Sequence, residues 1–420
     1  MAERRVEVFV QVDGTELLAG ELWSHRRRDR ESTTFSYAAG YLGHPAAFEL
    51  DPSLPLRDGA QQTPAGREIF GAFGDCAPDR WGRKLIGRAE RRRARSEGET
   101  RRTLGEIDYL LGVRDDMRQG ALRFRDPDSG TFLAPEDEGV PPLVRLPRLL
   151  ASAERVDREE EDDEDLRTLL KGGSSLGGAR PKAHVIDRNG RPAIAKFPKP
   201  SSDEWDVIRW EAAALRLAAA AGVDTPSSRL VEVSGRGVLI VDRFDRRGGL
   251  RVPYASAMTM LEAADGDSGS YLEIAEAIET RSPAATADLA QLWRRIAFSI
   301  LISNTDDHLR NHGFLRLSTA GWSLSPAFDL NPEPEVGRRH LSTAIDLDET
   351  EARIEVLMGV ASEFRLDERQ ARKILGEVGE ATSGWRRVAE EEGLDRAAIE
   401  AMSPAFEHEE ADAVRQLAEV

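Results

Sequence analysis

The sequence predicts an α+β protein whose strand-forming and helix-forming segments are segregated along the chain. Three observations predict it. Alternating apolar runs separated by turn signals occupy much of residues 4–50 and return between 183 and 244. From about residue 255 strand signals nearly vanish and helical periodicity dominates to the end. The 420 residues, 40% of them hydrophobic and without an internal repeat, supply cores for one large or two to three ordinary domains.

The first run, Val6, Val8, Val10 and Val12, is followed by Asp13-Gly14 and then Leu17, Ala19, Glu21 and Trp23, which is the pattern of a β-hairpin. Residues 35–42 read as another strand. Residues 65–125 read as mostly helical, with helices over 78–95 and 104–111. A segment rich in Pro, Gly and acid (126–165) ends in seven consecutive acidic residues, read as a solvated loop or helix start. A glycine-rich stretch (171–182) precedes two strands, 183–187 and 192–197, joined at Asn189-Gly190. Residues 205–221 form a helix with Gly222 just past its end. Strands follow at 231–233 and 238–244, then helices at 289–302, 352–362 and 368–381.

Charge narrows the function. The net charge of −17 argues against a chain that coats nucleic acid or an anionic membrane. The basic clusters at Arg26–Arg28, Arg91–Arg93 with Arg95, and Arg101–Arg102 read as surface balanced by neighbouring Glu. One cysteine, Cys76, leaves no intrachain disulfide and no multi-cysteine zinc site. The first residues lead into no apolar h-region and no long apolar stretch follows, so the expectation is a cytoplasmic protein without a membrane span. Of 58 basic residues only six are lysine, and four of those (Lys171, Lys182, Lys196, Lys199) lie within 29 residues. Lysine is a compact point charge suited to phosphate, so the cluster points to chemistry.

Four elements carry that chemistry. Gly172, Gly173, Gly177 and Gly178 permit close backbone approach to an anion, without the P-loop NTPase pattern. Ala193-Ile194-Ala195-Lys196 has the form of the kinase strand whose lysine meets the α- and β-phosphates. Asp306 and Asn311 are five apart, the spacing of base and metal ligand in a kinase catalytic loop. Asp329, after Pro326-Ala327-Phe328, lies 18 residues beyond Asn311, where a kinase has its second metal ligand. Four elements in this order favour phosphoryl transfer.

These residues resemble the HipA family of protein-kinase-like serine/threonine kinases, the toxin component of HipA–HipB toxin–antitoxin systems. The similar segments are 174–182, 195–197, 241–246, 304–311 and 325–329. Outside the site, 73–82 is similar to the family's L-P-D-x-W-G segment, as are 256–259 and 270–272, so the resemblance spans roughly 1–345. It implies a two-lobed fold with a β-rich amino-terminal portion and an all-helical carboxy-terminal lobe. The parts would be an amino-terminal subdomain (1–125), a kinase N-lobe (126–245) and a helical C-lobe (246–420).

The resemblance also implies roles. Asp306 would be the catalytic base, and Asn311 and Asp329 would hold Mg²⁺ between the phosphates of ATP. The ATP-binding set would be Gly177, Gly178, Ala179, Lys182, Lys196, Asp242, Arg243, Phe244, His308, Asn311 and Asp329, with backbone groups of 242–244 meeting adenine. Ser175, or its neighbour Ser174, would be autophosphorylated. The implied partners are a small helix-turn-helix antitoxin like HipB and a translation-related substrate such as an aminoacyl-tRNA synthetase, with DNA reached only through the antitoxin. Asp307 departs from the family pattern, and its effect beside the base is open. Three other readings compete: a catalytically weak corepressor partner of the antitoxin, a small-molecule phosphotransferase similar to the aminoglycoside kinases, and a hydrolytic metal site of Asp306, Asp307, His308 and His312.

Overall fold

The computed structural model describes residues 3–12, 14–27, 30–133, 140–172 and 178–418. Strand β1 (Glu3–Val12) pairs antiparallel with β2 (Thr15–Arg27), closing at Val12 and Thr15 as the hairpin pattern predicts. Val6, Val8, Val10 and Val12 are all buried, so the alternation marks the core face. With β3 (Arg30–Tyr37), β4 (Gln61–Gln62) and β5 (Leu122–Arg125) they form a sheet in the order β4-β3-β2-β1-β5.

The run 35–42 is not one strand. It leaves β3 at Tyr37 and makes the short helix Ala39–Leu42. The turn from strand into helix stacks Tyr41 on Tyr37, ring centroids 5.6 Å apart, and their hydroxyls donate to the buried carbonyls of Phe48 and Leu54, respectively.

A second sheet follows the order β6-β7-β9-β8, from β6 (Lys182–Ile186), β7 (Pro192–Lys196), β8 (Ser228–Val233) and β9 (Arg236–Asp242). Ala183, Val185, Ala193, Ala195, Val238 and Ile240 face helices Leu146–Asp157 and Asp163–Lys171. Trp81 and Leu85, from the amino-terminal helix Arg80–Glu97, enter the same core. Leu239 and Val241 join the larger core that contains helix Val207–Ala220.

The acidic run is partly structural. Asp162 caps helix Asp163–Lys171, and the buried Asp165 pairs with Arg155 and accepts from Ser152 Oγ at 2.7 Å. Burial pushes the Asp165 carboxyl up, but Arg155 and the capping bonds hold it down at about 2. Glu159, Glu161 and Asp163 pair with Arg88 and Arg92, while Arg93 meets Glu90, Glu97 and Glu99. Much of the arginine patch at 91–93 is thus neutralised within the fold.

The carboxy-terminal lobe is built on helices such as Tyr271–Arg281, Ala285–Leu301 and Glu368–Ser383, but it is not all-helical. After a two-residue ribbon of β10 (Arg246–Arg247) and β11 (Leu250–Arg251), strands β12 (Tyr254–Ser256), β13 (Gly313–Ser318) and β14 (Gly321–Leu324) form a sheet beside residues 304–311. They are too short for alternation to register in the sequence. Gly313 permits the pairing, because a Cβ there would lie 2.4 Å from the Tyr254 ring. The helix expected over 352–362 is shorter, Ile354–Gly359, and a 3-10 turn Ala361–Phe364 follows it. No helix among the described residues is long and apolar enough to cross a membrane.

A buried polar seam joins the amino-terminal sheet to the rest. Asp245, with 3% side-chain exposure, accepts from Arg243 at 2.8 and 2.6 Å, Arg246 at 2.9 Å and the Gly120 amide at 2.7 Å. Arg243 also donates to the carbonyls of Met117 and Arg118. Burial raises the Asp245 carboxyl, but the Arg243 and Arg246 charges overcome this and hold it well below the carboxylate range. Asp245→Asn leaves those guanidiniums without their anion. It is expected to remove about 3–5 kcal/mol of stability in urea unfolding, and an unchanged midpoint would contradict this account of the seam.

Candidate active site

Lys196 ends β7 on the face opposite Ala193 and Ala195. Its Nζ lies 2.9 Å from Asp329 Oδ1 and also pairs with the Glu211 carboxylate. Glu211 is buried on helix Val207–Ala220, whose first turn is capped by Asp206. Burial alone would lower the ammonium, but the Asp329 and Glu211 charges outweigh it and hold Lys196 above its ordinary range. Burial likewise opposes ionisation of Asp329, but Lys196 and then Lys182 bring its carboxyl down to about 2. Asp329 adopts φ 59°, a left-handed conformation that costs a non-glycine residue about 1–2 kcal/mol. The ion pair to Lys196 is the contact that fixes its direction.

A second cation sits beside the first. Lys182 is the register partner of Lys196 across β6 and β7. Its Nζ donates to Asp79 Oδ2 at 2.8 Å, and its carbonyl accepts from Trp81 Nε1 at 3.1 Å. Gly178, at φ 113°, lies over this pair: a Cβ there would be 3.1 Å from Lys182 Nζ and 4.0 Å from Asp329 Oδ2. Any side chain would therefore fill the space between cation and carboxylate. Ala179 beside it is exposed. The expectations at Ser174, Ser175 and Gly177 lie outside the described residues.

The segment after helix Ala285–Leu301 presents its groups in opposite directions. Asp306 faces solvent. Lost hydration raises its carboxyl, with Asp329 and Asp307 adding to this and His308 and Arg80 opposing it. Its carbonyl accepts from Asn311 Nδ2 and from the His308 amide, both at 3.0 Å. Asn304 Oδ1 accepts from the Asn331 amide at 3.1 Å, tying this loop to the segment after Asp329.

Asp307 turns into the core. It accepts from the Tyr271 hydroxyl at 2.6 Å and lies 3.1 Å from His312 Nε2, while Thr343 Oγ1 donates to its carbonyl at 2.6 Å. Burial raises Asp307, but His312, Tyr271 and His308 pull it below the usual range. The hydrolytic site of Asp306, Asp307, His308 and His312 is therefore not assembled. Among the described residues no group of three His, Cys, Asp or Glu side chains could hold a metal ion.

Beyond Asp242, β9 leads into Phe244, whose ring centroid is 5.6 Å from that of Phe328. The amides of Asp242 and Arg243 donate to Ser227 and Pro192 carbonyls, and the Arg243 side chain belongs to the seam. Glu211 was missed, although a lone acid on the apolar face of an Ala-rich helix after the lysine strand signals it. Asp79 and Tyr271 fall in the segments 73–82 and 270–272 noted for their resemblance, but nothing in the sequence assigned them their contacts with Lys182 and Asp307.

Comparison with known proteins places these features in a family. Residues 10–106 match the model of the HipA N-terminal domain, and residues 174–385 match that of the HipA-like C-terminal domain. Two curated relatives carry names that assign them provisionally to the kinases. Y4dM of Sinorhizobium fredii is 33% identical over 31% of this chain and 35% of its own length. A protein of Haemophilus influenzae is 27% identical over 39% of this chain and 55% of its own. The chain thus spans about a third to just over a half of these relatives. Among solved structures, a chain of the Shewanella oneidensis MR-1 toxin–antitoxin complex of HipA, HipB and operator DNA superposes with TM-score 0.65, covering 99% of both chains at 18% identity. That likeness establishes the shared fold.

The Tyr271–Asp307 bond anchors the loop that carries Asp306. Tyr271→Phe leaves a buried carboxylate oxygen short of a donor and is expected to lower stability by about 1–3 kcal/mol. Hydrogen exchange should speed up locally over 304–311, and a loop exchanging at the unaltered rate would contradict the anchoring role.

Proposed function

The chain belongs to the HipA family, and from that premise we propose that it is an ATP-dependent serine/threonine protein kinase acting as the toxin of a toxin–antitoxin pair. The observation that carries the reading is Lys196 held between Glu211 and Asp329, with the exposed carboxylate of Asp306 near enough to feel the Asp329 charge. A kinase needs this lysine–glutamate pair to direct a cation at the phosphates and a free carboxylate to receive the substrate hydroxyl.

ATP lies between the four-stranded sheet and the helical lobe, with adenine near Phe244 and Phe328. Lys196 and Lys182 meet its phosphates, and Gly178 leaves them room. Asp306 orients a serine or threonine hydroxyl and accepts its proton as the oxygen bonds to the γ-phosphorus; the bond from that phosphorus to the β–γ bridging oxygen breaks and ADP leaves. The donor set suits Mg²⁺. Asp329 has a second carboxylate oxygen beyond the one facing Lys196, and Asn311, whose Nδ2 binds the Asp306 carbonyl, keeps its amide oxygen. When bound, the ion neutralises charge on the phosphates. His308 lies beside this set, and Ser175 or Ser174 is the self-modification site.

The partner proposed is a small HipB-like helix-turn-helix antitoxin, through which DNA is reached. Internal pairing of Arg88, Arg92 and Arg93 and the net charge of −17 support that indirect route. The substrate proposed is a translation-related protein such as an aminoacyl-tRNA synthetase, in the cytoplasm.

Transfer of labelled γ-phosphate from ATP tests the reading. Asp306→Asn is expected to lose about 10²–10⁴-fold in kcat, and Asp329→Asn to lose transfer and some stability, since one anion of the buried Lys196 cluster is gone, while circular dichroism still reports a folded chain. Wild-type rates in both variants would overturn it.

A further inference from the structure

We propose that Asp79, contributed by the amino-terminal subdomain, is a positioning residue of the nucleotide site: it fixes the Lys182 ammonium beside the phosphates and acts on ATP only through that lysine. The inference rests on the kinase reading above.

Asp79 stands immediately before helix Arg80–Glu97. Its Oδ1 accepts from the Gly82 amide at 2.8 Å, the capping bond that sets the carboxylate's rotamer. The other oxygen, Oδ2, is then aimed at Lys182 Nζ, 2.8 Å away and 103 residues distant in sequence. The two side chains are 3% and 4% exposed. Trp81, two residues along the same helix, holds the Lys182 carbonyl through its indole nitrogen at 3.1 Å. The first turn of one helix thus grips Lys182 at both its backbone and its charge.

The grip answers an electrostatic difficulty. Lys182 and Lys196 are cross-strand partners, and like charges in that position repel. Lys196 has Glu211 and Asp329 for balance. Asp329 also faces Lys182 across Gly178 and feels its charge, and it is the group that Lys196 and the metal ion need. Asp79 keeps the two cations on separate anions and leaves Asp329 to its own role. The phosphate site is therefore complete only with the amino-terminal subdomain seated.

The test uses the full chain. Asp79→Asn and Asp79→Ser each keep a capping oxygen and remove the carboxylate. ATP·Mg²⁺ affinity is measured by titration calorimetry, and KM and kcat by phosphate transfer. Each variant is expected to weaken ATP binding about tenfold, the size of one charge-assisted hydrogen bond, with KM rising more than kcat falls. In a Lys182→Met background, Asp79→Asn is expected to add no further loss. Unchanged affinity, additive losses in the double variant, or failure of both Asp79 variants to fold would each overturn the proposal. If the wild-type chain binds no ATP, the kinase reading falls with it. If it binds ATP and the losses add, the positioning role alone falls.

Discussion

The candidate site is organised around one ion cluster, Lys196 with Glu211 and Asp329. The three residues come from the end of β7, the second turn of helix Val207–Ala220 and the segment after β14. A buried ammonium is tolerable only with anions against it, and each carboxylate is tolerable only with the ammonium. The cluster therefore fixes how sheet, helix and carboxy-terminal lobe meet. Asp329, the carboxylate that reaches Lys196 from this segment, sits at φ 59°, a left-handed conformation that aspartate adopts more readily than most side chains.

The same logic recurs at two other seams. Asp245 gathers Arg243 and Arg246 with the backbone of 117–120, and Asp79 meets Lys182. In each case a charge of one subdomain is completed by a group of another. The apolar core agrees, since one continuous cluster runs from the amino-terminal valines to the helices of the last third of the chain. The amino-terminal sheet thus shares one core with the helices of the last third of the chain.

What could be read from the sequence follows from how local each signal is. The contacts of Lys196 with Asp329 and of Asn311 with the Asp306 carbonyl join residues that the sequence singles out by short spacings and a fixed chain order. The β1–β2 hairpin was legible from strict alternation around Asp-Gly. Contacts that join distant segments were not: the Asp79–Lys182 pair spans 103 residues, and nothing near either residue announces the other. Asp307 shows a different limit. It adjoins Asp306, yet the chain turns one carboxylate to solvent and the next into the core, toward Tyr271 and His312. Strands of three to six residues in the helical lobe were missed because alternation needs length to stand out.

The scarcity of lysine makes the central claim directly measurable. An acyl-phosphate derivative of ATP transfers its acyl group to a lysine amine lying against the phosphates, and this chain offers only six lysines. Labelling of the full chain followed by peptide mapping should place acylation that free ATP competes away on Lys196 and Lys182. Lys84, Lys171, Lys199 and Lys373 should carry only label that ATP does not displace. ATP-competed label on one of those four, or none on Lys196 and Lys182, would contradict the assignment of this ion cluster as the phosphate end of a nucleotide site.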